Sequence, residues 1–194
     1  MPQQKNFDLG EPVPHFRAEC TSNPQFAFNT VAGRHIVLCF FGFASHPVTS
    51  RLLCDFFKHR QVFDDVNASF FGVSDDPEDK SQGRVKGALP GIRYFWDFDR
   101  AISQLYGVIP EYQPDSYRPM TLVLDIRLRV MGRVMLASDP ENHVERVLEI
   151  LAKGDPVPED KPAEQQAPVL IVPRIFEPAF CRQLIDIFDQ TGGT

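Results

Sequence analysis

The chemistry-bearing residues of this chain are its four cysteines, a histidine set among hydroxyls, and a short acidic run. Cys20, Cys39, Cys54 and Cys181 contain no C-x-x-C pair and no close metal-ligand spacing, so neither a dithiol motif nor a structural zinc site is expected. A thiol attacks as its thiolate, which a helix amino terminus or nearby cations favour. Cys39 lies in an apolar run and reads as a small core hydrophobe, while Cys54 falls inside a helical pattern beside Leu53 and Phe57. Cys20 precedes Thr21 in an irregular segment and could be an exposed or resolving thiol. His46 stands close to Ser45, Thr49 and Ser50, where an imidazole could polarise a hydroxyl or bind an anion at a helix start. The plainer alternative is a helix cap at Thr49 or Ser50 with a solvated His46.

Other constellations carry less. His143 and Glu145 form an H-x-E pair, but two residues apart on a helix they point about 200° from each other, so both are expected as surface residues. Asp75, Asp76, Glu78 and Asp79 suit a helix amino terminus better than a cation site. No glycine-rich phosphate loop with its lysine is present.

These residues hang on an α/β framework. Ile36 to Phe41 is an apolar run long enough for one strand covered on both faces, and the loop after it opens a helix from Thr49 or Ser50 with Leu52, Leu53, Phe56 and Phe57 at helical spacing. In such sheets chemistry gathers at the carboxyl ends of the strands. Before this unit, prolines and a short alternation around Gln25 to Phe28 predict an edge hairpin. After it come strands over 67–74, 92–96, 120–124 and 130–136, with helices from Pro77 to about Lys86, within DFDRAISQLYGV, and over 142–151. Asp97 or Asp99 is the expected cap of the middle one. The fold class is therefore α/β, a mixed central sheet with helices on both faces.

Composition bounds the rest. A net charge of -6 with dispersed basic residues argues against nucleic acid as a partner, and no segment reaches the roughly 18 apolar residues of a membrane span. The amino terminus lacks a secretory apolar core, so the expected location is the cytoplasm. Residues 153–167 are rich in proline, charge and glutamine and read as a linker, which divides the chain into a domain over 1–152 and a segment over 168–194.

With strand, loop and helix in place, residues 8 to about 152 resemble the peroxiredoxin family, the alkyl hydroperoxide reductase and thiol-specific antioxidant (AhpC/TSA) group of redoxins with a thioredoxin-like fold. The similar blocks are LGEPVPHF, HIVLCFFG, FFGVSDDP, YFWDFDRAISQLYGV and TLVLDIRLRVMGRV, in the family's order. The resemblance implies an antioxidant oxidoreductase whose motif P-x-x-x-T-x-x-C carries the peroxidatic cysteine, helped by an arginine before a later strand. Matching strand to strand puts Gly42 where that proline belongs, His46 at the threonine and Thr49 at the cysteine. Pro119 takes the arginine's place, with Arg118 one residue earlier, and Pro119 looks like the cis-proline of thioredoxin-like proteins. A shifted reading also exists: Cys54 follows Pro47 by the motif's seven residues, with Arg51 at the threonine position.

The tail APVLIVPRIFEPAFCRQLIDIFD resembles the start of prolyl-hydroxylase-like oxygenases. That implies Fe(II) and 2-oxoglutarate as cofactors of a domain continuing past Thr194, since the chain itself lacks the H-x-D of their iron site. Two functions stay open. The leading expectation is a catalytically silent peroxiredoxin-like module serving an attached oxygenase; the resemblance also implies a homodimer, to whose surface Phe43, Tyr94, Trp96 and Tyr112 could contribute, although aromatics near strands are more often core. The alternative is a thiol-dependent peroxidase acting through Cys54 with a thiol reductant.

Overall fold

The computed structural model describes residues 7–110, 113, 116–159 and 176–192. The chain falls into two compact units, Met1–Pro158 and Glu159–Thr194. In the first, β1 (Arg17–Cys20) and β2 (Asn23–Ala27) form an edge hairpin, and β3 (His35–Gly42) follows with all eight residues buried. Then come α1 (Pro47–Lys58), β4 (Ala68–Ser74), α2 (Pro77–Ser81), β5 (Ile92–Trp96) and α3 (Ala101–Leu105). Two further strands, β6 (Met120–Leu124) and β7 (Val130–Met135), and α4 (His143–Leu151) complete the unit. The second unit carries α5 (Pro178–Thr191). A strand expected just before α5 falls largely outside the described residues.

The seven strands make one mixed sheet in the order β2-β1-β5-β4-β3-β6-β7. Strands β3, β4 and β5 run parallel, and β6 is antiparallel to β3, with Leu38 opposite Leu122. Because strand side chains alternate, β3 feeds two cores. Ile36, Leu38 and Phe40 pack with Phe71, Phe95, Ile102 and Tyr106 on the α3 side. Val37, Cys39 and Phe41 pack on the other side with Leu52 and Phe56 of α1 and Val144 and Val147 of α4. Helices therefore cover both faces, which is the thioredoxin-like arrangement expected for an unbroken apolar strand.

Local departures have local causes. Proline at the first helical position starts α1 at Pro47, two residues before the hydroxyl-based expectation. Helix α2 ends at Ser81 rather than near Lys86, because Gly83 takes φ 61° just beyond the cap and turns the chain out of the helix. For α3 both expected acids act: Asp97 accepts from the amides of Ile102 and Ser103, each at 2.8 Å, and Asp99 from Ala101 at 3.1 Å. Among the described residues the cis peptide lies at Leu89–Pro90 and not at Pro119, which corrects the expectation there.

Candidate functional site: a thiol cleft beside helix α1

The loop between β3 and α1 is held from beneath. Gly42 takes φ 77°, a conformation that favours glycine, and its carbonyl accepts from the Asp75 amide at 2.9 Å. Asp79 of α2 is fully buried, and its carboxylate accepts from the Ala44 amide at 2.8 Å and the Ser74 hydroxyl at 2.7 Å. Arg84 closes the arrangement with contacts to Asp76 at 2.9 Å and Asp79 at 3.4 Å, and also pairs with Glu78. The acidic run thus caps α2 through Asp76, as expected, and in addition anchors the loop through Asp79, which spacing alone did not show.

The expected site residues are not gathered at one point. His46 is the amino-terminal cap of α1, its Nδ1 accepting from the Val48 amide at 3.3 Å, and its ring sits edge-on to Phe43. Thr49 lies in the first turn with only 4% exposure, and no hydrogen bond joins it to His46 among the described residues. The Arg118 amide donates to the Val108 carbonyl at 3.0 Å, and its guanidinium reaches Gln113 at 3.2 Å. Cys54 is five residues beyond Thr49, which at 100° per residue places it roughly 140° around the helix. Thr49 faces the core, and Cys54 comes to the surface.

There Cys54 is an exposed free thiol opening into a cleft of about 510 Å³. Leu53, Phe57 and Val85 give the cleft apolar walls, and Lys58, Arg84 and Lys86 add cations. Lys58 is paired with Asp55 at 2.6 Å and Arg84 with its acids, while Lys86 has no ion-pair partner among the described residues. Tyr94 also lines this space. Its ring crosses Gly72, its neighbour in β4, where a Cβ would stand only 2.5 Å from the ring. Burial raises the Tyr94 phenol above its ordinary range, with further upward pushes from Cys39 and Cys54. Sequence reasoning had no local signal for Arg84, Lys86 or Tyr94 here; only folding brings the α2–β5 loop against α1.

The remaining thiols of this unit are sealed. Cys39 is 1% exposed, and burial pushes its thiol up to about 12 against the smaller opposing effect of Thr121. Cys20, expected as exposed or resolving, is buried with its Sγ 3.3 Å from Ser22 Oγ, because the β1–β2 hairpin folds it against the core. His143, expected at the surface, is buried beneath α4, with Nε2 2.8 Å from Thr121 Oγ1. Among the described residues no group of three His, Cys, Asp or Glu side chains could hold a metal ion. No described helix is long and apolar enough to cross a membrane.

The sequence model of the AhpC/TSA family matches residues 9–131. The chain belongs to that family. No curated protein matches it. Solved structures similar to it include peroxidoxin BcpB from Mycobacterium tuberculosis, at 19% identity and a TM-score of 0.63 over 76% of this chain and 97% of that one. PrxQ of Xylella fastidiosa matches at 19% and 0.62 over 76% and 97%, and AhpC of Mycobacterium tuberculosis at 18% and 0.61 over 75% and 92%. At such identity these likenesses speak for the fold.

For this AhpC/TSA chain they also correct the expectations drawn from the tail. The matches run through one continuous peroxiredoxin-like domain spanning most of the chain and give no indication of an oxygenase. These findings overturn the silent module serving an attached oxygenase. The tail resemblance covered only about 25 residues, and its described part is the amphipathic helix α5, a pattern that many folds share. Of the four aromatics expected on a homodimer surface, Phe43 alone is largely exposed among the described residues. Tyr94 is buried against Phe41 and Phe70, Trp96 is half-buried and stacks on Phe98, and Tyr112 lies outside the described residues.

Proposed function

We propose that this chain is a thiol-dependent peroxidase that reduces hydroperoxides through Cys54. One observation carries the reading: Cys54 is the exposed thiol of the first unit, and it opens into a cleft that a small molecule can enter, with three cations on its walls. A thiol attacks a peroxide oxygen as its thiolate, and the exposed Cys54 is open to such a partner from solvent. In the first step the sulfur forms a bond to the terminal peroxide oxygen, the O–O bond breaks, and Cys54 becomes a sulfenic acid while an alcohol or water leaves. Two equivalents of a thiol reductant then return it to the thiol, releasing water and a disulfide. In this reading His46 and Thr49 set the start of α1, and Arg118 braces the segment leading into β6. The cytoplasm, where thiols are kept reduced, is the compartment it assumes.

The test is hydrogen peroxide consumption with dithiothreitol as reductant, together with mass mapping of the sulfenylated cysteine. Turnover with the label on Cys54, lost in Cys54→Ser, is expected. Turnover that survives in Cys54→Ser, or a label on another cysteine, overturns the reading.

A further inference from the structure

At the end of β3 away from the α1 loop, a second cavity of about 530 Å³ opens between the start of that strand, the β6–β7 turn and the end of α4. Its volume lies within the range of about 300–1,000 Å³ usual for small-molecule sites. His35 lines it and is only 7% exposed. The ring donates from Nε2 to the Asp155 carbonyl at 2.8 Å, whereas Nδ1 is buried and has no hydrogen-bond partner among the described residues. Native folds rarely leave such an atom unmet, and an exception on the wall of a cavity asks for a role there. The charges around this cavity are not balanced within the chain either. Arg127 and Lys153 line it, and neither has an ion-pair partner among the described residues. Asp125 is already engaged, since its Oδ1 accepts from the amides of Arg127 and Arg129, each at 2.8 Å. That leaves two unpaired cations against one unpaired acid, Asp155, on a chain whose net charge is -6.

We infer that this cavity binds a small organic carboxylate with a short apolar body. A cleft with an excess of one charge concentrates ions of the other sign. The planar fork of the Arg127 guanidinium matches the two oxygens of a carboxylate, and the Lys153 ammonium adds a second cation to the head group. Ile126, Met131 and Ile150, each half-buried, give the body of the ligand an apolar wall. A molecule with both parts uses both kinds of surface, which neither an inorganic anion nor a neutral apolar molecule does. No residue is shared with the Cys54 cleft, so the inference stands independently of the peroxidase reading.

The test titrates the isotope-labelled full chain with hexanoate and follows its backbone amide shifts by NMR. Shifts are expected to concentrate at Ile126, Arg127, Met131, Lys153 and Gly154. Acetate, which lacks the body, and hexanol, which lacks the charge, should each bind at least about tenfold more weakly. In the double variant Arg127→Gln, Lys153→Gln, both at exposed positions, hexanoate affinity should fall about 10–100-fold, with the amide spectrum away from the cavity unchanged. Hexanoate that leaves the cavity residues unshifted overturns the inference. Hexanol binding as tightly as hexanoate also overturns it, by making the cavity apolar without anion recognition. Acetate binding as tightly does the same, leaving an adventitious anion only, and so does a double variant that keeps the parent's affinity.

Discussion

Burial pushes the His143 imidazole down to about 4, so the folded chain holds it neutral while the unfolded chain takes up a proton near 6.5. The sign follows: its contribution to stability is whole above about pH 6.5 and is lost as the pH falls toward 4. At pH 5 the loss amounts to about 2 kcal/mol. His143→Asn keeps a polar partner for Thr121 but does not titrate. Urea unfolding at pH 7 and pH 5 should show a clearly smaller acid loss in the variant, and identical losses in both proteins would exclude His143 as the cause. The same desolvation forces the Cys39 thiol toward its neutral form inside the sheet, whereas Cys54 is exposed on the outer flank of α1.

At the scale of elements, the short helix α2 does more than its five residues promise. Its Asp79 ties the β3–α1 loop to the end of β4 by accepting from Ala44 and Ser74, so the placement of α1, and of Cys54 upon it, depends on a carboxylate from a different element. Asp79→Ala leaves both donors buried without an acceptor. Guanidinium-induced unfolding should reveal a destabilisation of about 2–4 kcal/mol. A change below about 1 kcal/mol would show that the loop is held by something else. Only the hydrogen bonds make this visible, since the sequence DDPEDK presents Asp79 as one more acid in a capping run.

Across the whole of the first unit, one sheet separates two cores. Leu38 belongs to the core on the α3 side, and Leu52 to the core beneath α1 and α4. Each leucine-to-alanine change should cost about 2–5 kcal/mol, since both side chains are buried in packed surroundings. With the sheet between them, the double variant should lose the sum of the two within about 0.5 kcal/mol. A strongly non-additive double variant, measured by denaturant unfolding, would mean that the sheet transmits repacking from one core to the other.

The sequence by itself determined the framework. An unbroken apolar run of strand length suits a strand covered on both faces, helical spacing outlined α1, and blocks in family order pointed to the peroxiredoxin-like domain. These are local or serial properties, fixed by side-chain period and by solvation of short segments. The site was only half legible. Sequence offered Cys54 only through a shifted motif, with His46, Thr49 and Arg118 at or beside altered motif positions, and left Tyr94 between a pairing surface and the core. Tertiary structure decided which thiol meets water, buried His143 and Cys20, and brought Tyr94, Arg84 and Lys86 to one cleft from β5 and the α2–β5 loop. Burial and convergence arise from packing between segments far apart in the chain, and no spacing within a single segment encodes them.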